Sequence, residues 1–194
     1  MVTATEALQR LMEGNGRFAL ARAEHPRQSG VDRIRVAADP QPFAAILACA
    51  DSRVPPELVF DQGLGDLFVV RVAGNIVDDV VLGSLEYAVE RFRIALIMVL
   101  GHEQCAAVQA TIEGARVGHV GNLVDAIRPA VEQARGRTGD LLDNAITANV
   151  RMGVRQVRTA EPLLAKLSAA GKVQIVGARY ALYTGLVEVV EGGG

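Results

Sequence analysis

Two short segments of the chain carry side chains that bind soft metal ions. The first is CADSR at 49–53, and the second is GHEQC at 101–105. The chain has only two cysteines, and one lies in each segment. Two thiolates and an imidazole are ligands that suit zinc. The residue types therefore predict one zinc site built from Cys49, His102 and Cys105.

The spacing within each segment can turn these side chains toward one point. In an extended segment alternate side chains face the same way, so Cys49, Asp51 and Arg53 would share one side. Residues three apart share a helix face, so we expect His102 and Cys105 to converge from the first turn of a helix. A helix start also lowers the pKa of a thiol, which would favour the thiolate of Cys105.

Asp51 and Arg53 predict a way to open and close the site. Zinc with two thiolates and a neutral imidazole has no formal charge. Asp51 and a hydroxide each add one negative charge, so either can be the fourth ligand at the same total charge. When Asp51 leaves the metal, the guanidinium of Arg53 offers a forked partner two residues away. We therefore predict that Asp51 is both a metal ligand and, together with Arg53, a catalytic residue.

The composition is typical of a globular protein and argues against several classes of partner. The 194 residues are 50% hydrophobic and 22% charged, with a formal net charge of −2. This balance gives no case for nucleic acid or an anionic membrane as a partner. No apolar run is long enough to cross a membrane, and the N-terminus lacks a secretion-signal pattern. Two cysteines are too few for a disulfide-stapled scaffold, so we expect a cytoplasmic protein.

Short apolar runs alternate with helical patterns along most of the chain. Strands are predicted at 43–48, 67–72, 94–100 and 173–178, with a terminal strand or hairpin at 180–190. Helices are predicted at 55–60, 80–89, 102–113, 122–135 (interrupted at Pro129), 141–157 and 161–170. This order predicts an α/β fold with a mostly parallel central sheet of four strands, an antiparallel C-terminal edge strand and helices on both faces. Both cysteine segments follow strands, at the edge where such sheets bind ligands.

The first 40 residues predict a helical arm rather than part of the sheet. An amphipathic helix is expected over 3–23, bent or split by GNG at 14–16, and a connecting loop with a short helix at 32–37 follows. The arm is too small to form a core alone, so we expect it to pack on the main body or on a second subunit. We predict one domain over 1–194, with arm and loop at 1–40, an α/β core at 41–191 and a disordered tail at 192–194.

Several motifs resemble those of the β-class carbonic anhydrases. They are CADSRVP at 49–55, GDLFVVR at 65–71, AGN at 73–75 and GHEQC at 101–105, with a weaker likeness over 177–185. The resemblance implies reversible hydration of carbon dioxide to bicarbonate and a proton, through a zinc-bound hydroxide. It implies that Cys49, His102 and Cys105 are the permanent ligands of a single zinc ion, and that Asp51 and Arg53 are the family's gating pair. It also implies a homodimer or a higher even oligomer.

The chain departs from many members of that family at positions other than the metal ligands. Val72 stands where Asn is common, and Ala106 stands where Gly often follows the second cysteine. Pro40 stands where a Gln often helps to bind substrate, and Ala181 stands where an Asp is frequent. These differences bear on pocket shape and substrate hydrogen bonding, and hence on rate.

Two other functions remain open from the sequence. A non-catalytic zinc module, closed permanently by Asp51, could sense bicarbonate or pH, although such a site would have no need of Arg53. Alternatively, Cys49 and Cys105 could form a disulfide in thiol redox chemistry. That interpretation leaves His102 and Asp51 without a role.

Overall fold

The computed structural model of the protein describes residues 2–192. Its strands are β1 (Ala44–Ala48), β2 (Leu67–Arg71), β3 (Leu96–His102), β4 (Gln174–Tyr180) and β5 (Val187–Glu191). Within the described residues they form one sheet of five strands in the order β2-β1-β3-β4-β5. The first four strands are parallel, and β5 is antiparallel to β4. The predicted sheet and its antiparallel edge strand are confirmed.

Helices cover the sheet and connect its strands. They are α1 (Ala4–Ala19), α2 (Gly30–Ala38), α3 (Pro56–Val59), α4 (Asp79–Phe92), α5 (Ala106–Glu113), α6 (Val120–Ala134), α7 (Leu141–Arg158) and α8 (Leu164–Ala169), with a short 3-10 helix at Ala73–Asn75. The predicted interruption at Pro129 is wrong, because α6 runs through it with Ile127, Ala130 and Val131 buried. A proline removes one backbone hydrogen bond, and here that loss is outweighed by packing. None of the helices within 2–192 has the length and apolar character needed to span a membrane.

Alternate side chains of the central strands pack on opposite faces of the sheet. On β1, Ile46 lies in a buried cluster with Phe60, whereas Leu47 lies in a cluster with Leu85 and Val150. Every residue of β1 and β3 is buried. Strands covered on both faces have continuous apolar sequences, so these two strands could be predicted from the sequence. Burial of each large aliphatic side chain contributes about 1.5–3 kcal/mol.

The order of the sheet reverses at β1. The chain places β2 on one side of β1 and β3 on the other, so a switch point lies at the carboxyl ends of β1 and β3. Cys49 directly follows β1, and His102 is the last residue of β3. The two predicted site segments therefore meet at the edge where ligands bind in such sheets.

Helix α1 packs on the main body of the molecule, which is one of the two partners expected for it. Ala7 and Leu11 are fully buried in the same cluster as Phe60. Thr3 caps the helix in a capping box with Glu6, as its sequence pattern favours. Helix α1 is therefore part of the core on one face of the sheet.

The predicted break of α1 at residues 14–16 is wrong. The buried Asn15 ties the helix to two other segments: its Nδ2 donates to the carbonyl oxygens of Val59 at 3.1 Å and Gly185 at 2.8 Å. Its Oδ1 accepts the backbone N–H of Val187 at 2.8 Å. Gly14 serves close approach rather than flexibility, since a Cβ there would lie 1.8 Å from the carbonyl oxygen of Phe60.

Alanine substitutions at the two glycines of α1 should have opposite effects on stability. Gly14→Ala should lower the free energy of unfolding by about 1–3 kcal/mol, because the new methyl group overlaps the Phe60 backbone. Gly16→Ala should raise it by about 0.5–1 kcal/mol, because nothing lies within 4 Å of the added Cβ and alanine favours a helix interior. Urea unfolding followed by circular dichroism measures both. Equal effects at the two positions would contradict the packing described for α1.

The C-terminal end of the described chain is tied to the sheet. The carbonyl oxygen of Gly192 accepts a hydrogen bond from Gln174 Nε2 at 3.1 Å. Gly192 has a φ of 72°, which suits glycine at the bend after β5. The rest of the predicted disordered tail, residues 193–194, lies outside the described residues.

Candidate metal centre

Three buried side chains meet at the carboxyl ends of β1 and β3. The sulfur atoms of Cys49 and Cys105 and a ring nitrogen of His102 all lie within 4.8 Å of one another. The exposed fractions of the three residues are 4%, 2% and 0%, in that order. The structure thus brings together the three residues that the sequence predicted as permanent metal ligands.

The imidazole of His102 has one nitrogen free to bind a metal. Its Nδ1 lies 2.7 Å from the carbonyl oxygen of Glu103, which only accepts hydrogen bonds, so Nδ1 carries the proton. Its Nε2 is buried and has no hydrogen-bond partner among the described residues. A buried polar atom without a partner is unfavourable, and a metal ion bound by that lone pair would satisfy it. Two sulfurs and this nitrogen form a donor set that fits zinc.

His102 reaches the cluster from a strand, not from a helix. Helix α5 begins at Ala106, so the predicted helix over 102–113 starts four residues too early. Between strand and helix, Gln104 adopts a left-handed backbone conformation with φ 51°. Cys105 follows as the N-cap of α5. The histidine and the cysteine therefore converge through a tight turn rather than through helical spacing.

The side chain of Glu103 anchors this turn to β4. Its carboxylate accepts the backbone N–H of Leu182 at 3.0 Å and lies 3.3 Å from Nη2 of Arg179. Its own backbone N–H donates to the carbonyl oxygen of Tyr180 at 3.0 Å. The ligand loop after β3 is therefore held from both its main chain and its side chain.

The two thiols titrate as a coupled pair. The hydrogen bond from Cys105 lowers the pKa of Cys49 to about 4, with further help from the backbone N–H of Gly74. The pKa of Cys105 is raised by its hydrogen bond to Cys49 and by burial. Backbone amides of α5 act in the opposite direction and lower the pKa of Cys105, as its place at the helix start predicts. The second proton therefore leaves most readily when a cation binds both sulfurs.

The carboxylate of Asp51 is paired with Arg53. Nε of Arg53 donates to Oδ1 at 2.9 Å, and Nη2 donates to Oδ2 at 2.7 Å. The backbone N–H of Arg53 adds a third hydrogen bond at 2.9 Å. The hydrogen bonds with the Arg53 side chain hold the pKa of Asp51 well below its usual range. Oδ2 of Asp51 is also 3.9 Å from Nε2 of His102, so the carboxylate lies between the guanidinium and the ligand cluster.

Sequence reasoning missed two residues that hold the first ligand loop. Arg71, the last residue of β2, donates from Nε to the carbonyl oxygen of Cys49 at 3.0 Å and from Nη2 to that of Asp51 at 2.5 Å. The backbone N–H of Gly74 donates to Sγ of Cys49 at 3.2 Å. The place of Arg71 and Gly74 at the end of β2 could have indicated this role, because β2 pairs with β1 and ends at the same edge of the sheet.

Two of the positions that depart from the resembled family, Val72 and Ala106, adjoin the ligand segments. The N–H of Val72 donates to the carbonyl oxygen of Ala48 at 3.1 Å, and its carbonyl oxygen accepts from the N–H of Ala50 at 3.2 Å. The backbone of Val72 thus supports the Cys49 segment whatever its side chain. Ala106 is exposed at the start of α5, and Pro40 is partly buried before β1.

The fold and the site together define a class of protein. A buried cluster of two cysteines and one histidine, at the switch point of a mostly parallel sheet, is typical of a metal-dependent α/β enzyme. The acid–base pair beside the cluster, Asp51 with Arg53, adds a charged group within reach of the ligands.

Comparisons with known proteins identify the family. The family model described as carbonic anhydrase matches residues 44–187. Carbonic anhydrase 2 of Mycobacterium tuberculosis is 40% identical over 184 residues, covering 92% of this chain and 89% of that protein. A carbonic anhydrase of Mycolicibacterium smegmatis is 38% identical over 188 residues, covering 94% and 91%. The β-carbonic anhydrase of Coccomyxa, solved in complex with acetazolamide, matches with a TM-score of 0.75 at 28% identity, covering 94% and 85%. The chain belongs to the carbonic anhydrase family of enzymes, in its β class.

Proposed function

We propose that this enzyme carries out the zinc-dependent, reversible hydration of carbon dioxide to bicarbonate and a proton. The observation that carries the proposal is the buried cluster of Cys49, His102 and Cys105, in which Nε2 of His102 has no other partner among the described residues. These three side chains would hold a single zinc ion per chain. When bound, zinc supplies the Lewis acidity that makes water a nucleophile near neutral pH. Membership of the carbonic anhydrase family supports the substrate.

We infer that Asp51 and Arg53 control the fourth position of the site. While the forked guanidinium holds the carboxylate of Asp51, a metal ion held by the three ligands would be left accessible to water and substrate. In a second, closed arrangement the carboxylate of Asp51 would turn away from Arg53 and toward the ligands. The 3.9 Å separation between Oδ2 of Asp51 and Nε2 of His102 supports this arrangement. Nη2 of Arg53 is also 3.4 Å from the carbonyl oxygen of Gln104, so the guanidinium touches both ligand loops. Arg53 is placed to favour the open arrangement.

The rate of hydration should rise toward alkaline pH. Two thiolates donate more negative charge than imidazoles, so the activated water should be less acidic here than in a site of three histidines. We expect kcat/KM to increase through a midpoint above pH 7. Zinc analysis combined with stopped-flow hydration across pH tests metal and reaction together. A zinc-replete protein that is inactive even at alkaline pH would overturn the proposed function.

The geometry favours the enzyme over the two alternatives from the sequence. A permanently closed zinc module needs Asp51 at the metal, whereas its carboxylate here receives three hydrogen bonds from Arg53. For the redox alternative, both cysteines are free, and a disulfide would leave the lone pair of His102 Nε2 without a partner. Both observations support a site that binds metal and can open.

We also infer that the protein is a homodimer or a higher even oligomer. Helix α2 has no buried residue, and its Val31 and Ile34 are 68% and 74% exposed. Contact with a second copy would remove this apolar surface from water. Sedimentation velocity on the purified protein measures the oligomeric state.

We also propose a single domain over 1–194 and a cytoplasmic location. The packing of α1 on the core supports the single domain.

A further inference from the structure

We propose that Asn149 of α7 is a positioning residue for the metal centre and acts on Cys49 through the backbone of Gly74. The inference rests on the proposed zinc site. It assigns Asn149 no contact with metal or substrate. Its role would be to fix Gly74 through its carbonyl oxygen, while the N–H of the same residue donates a hydrogen bond to one ligand sulfur.

Asn149 is a polar residue on a face of α7 that is otherwise apolar. It is 3% exposed, and the helix buries Ala145, Ile146, Val150 and Val154 around it. Burial of an amide is unfavourable unless it is hydrogen-bonded. Its Nδ2 donates to the carbonyl oxygen of Gly74 at 2.8 Å, across 75 positions of the chain. The buried amide of Asn149 is therefore directed at one loop, the one that follows β2.

Gly74 has a backbone conformation that would strain any other residue, and the space beside it is tight. Its φ is 70° and its ψ is 15°, a left-handed conformation that favours glycine. An added Cβ would lie 2.6 Å from Cδ1 of Ile127. In this conformation the carbonyl oxygen meets Asn149, while the N–H meets Sγ of Cys49 at 3.2 Å. A residue fixed at its carbonyl by Asn149 also keeps its N–H directed at the sulfur.

A hydrogen bond from N–H to a thiolate does two things to a metal site. It orients the sulfur, and it withdraws negative charge from it, which lowers the charge that the sulfur donates to the metal. Partners outside the ligand shell typically change metal affinity by about 10- to 100-fold when they are removed. Loss of the Asn149 amide should therefore loosen the metal and leave the Cys49 sulfur richer in charge.

The test uses Asn149→Ala and Asn149→Asp in the full chain loaded with cobalt(II) in place of zinc. The aspartate has the shape of asparagine but replaces the donor with an oxygen, which repels the Gly74 carbonyl. We expect both variants to bind cobalt about 10- to 100-fold more weakly than the wild type, and therefore to release it faster. We also expect the sulfur-to-cobalt charge-transfer band to move to longer wavelength, since a sulfur richer in charge gives up an electron more easily.

Asn15→Ala is the matched control. It removes an equally buried asparagine that also donates to backbone carbonyls, but those belong to Val59 and Gly185. It should lower stability and leave the cobalt band and the release rate unchanged. The same band and rate in the Asn149 variants as in Asn15→Ala would overturn the inference.

A measurement on the wild type keeps the inference testable if the variants fold poorly. In protein loaded with ¹¹³Cd, the amide proton of Gly74 should couple to the metal through the hydrogen-bonded sulfur. Absence of that coupling in a cadmium-loaded protein would overturn the inference alone. A wild type that binds neither cobalt nor cadmium would overturn the proposed function as well, so the two failures are distinguishable.

Discussion

Replacing Cys49 with serine is expected to remove zinc from the protein and to abolish carbon dioxide hydration. The serine hydroxyl remains protonated near neutral pH and is a poor zinc ligand compared with a thiolate. A Lewis acid contributes several kcal/mol to such a reaction, so its loss should lower kcat/KM by about a thousandfold or more. Metal analysis by mass spectrometry and stopped-flow hydration measure the two effects. The serine variant should keep its fold, because serine and cysteine are close in size.

Ala50→Ser is the matched control for that variant. Ala50 is the next residue and is exposed, whereas Cys49 is buried. Adding a hydroxyl there changes the same segment without changing a ligand, so zinc content and rate should stay at the wild-type level. A Cys49→Ser protein with normal zinc and normal hydration would show that the cluster is not the catalytic metal site.

Arg53→Ala should leave zinc bound and lower the hydration rate. Without the forked guanidinium, the Asp51 carboxylate loses its competing partner and should spend more time on the metal. Activity scales with the fraction of molecules in the open arrangement, so we expect a fall of at least about tenfold in kcat/KM. Arg53→Lys should fall between the wild type and Arg53→Ala, since an ammonium keeps the charge but not the fork. Zinc analysis and stopped-flow hydration on the same samples separate metal loss from gating.

Arg116→Ala controls for the loss of one positive charge. Arg116 makes an exposed pair with Asp125, with Nη2 2.8 Å from Oδ1, and its removal should leave the rate unchanged. An Arg53→Ala protein with full zinc and full activity would contradict the gate. If instead the zinc-loaded wild type were itself inactive, the non-catalytic zinc module would become the better interpretation.

The order of elements and the ligand types could be determined from the sequence alone. β1 and β3 are buried on both faces, so they appear as continuous apolar runs that a polar residue would interrupt. The two cysteines stand directly after or close behind those runs, and the histidine three residues before the second cysteine completes a set of soft ligands. Asp51 and Arg53 are neighbours in sequence, so their pairing needs no tertiary contact to be predicted.

Predictions from local sequence patterns were wrong where one residue type is compatible with two different structures. The glycines at 14–16 predicted a break, but Gly14 is small because α1 touches the backbone of Phe60. The spacing of His102 and Cys105 fits a helix turn as well as a tight loop, and only the extent of β3 distinguishes them. Pro129 predicted an interruption that the packing of α6 overrides.

Only the tertiary structure decided which residues support the ligands. Arg71 reaches the carbonyl oxygen of Cys49 across 22 positions, and Asn149 reaches Gly74 across 75. These contacts depend on which strand lies beside β1 and on which helix crosses the end of the sheet. Sequence spacing carries no record of such long-range approach, because side chains that are far apart along the chain are brought together by packing of the whole core. The ligands themselves could be predicted because they stand in two short segments, 49–53 and 101–105. The residues that support them, Arg71, Gly74 and Asn149, come from other elements of the fold.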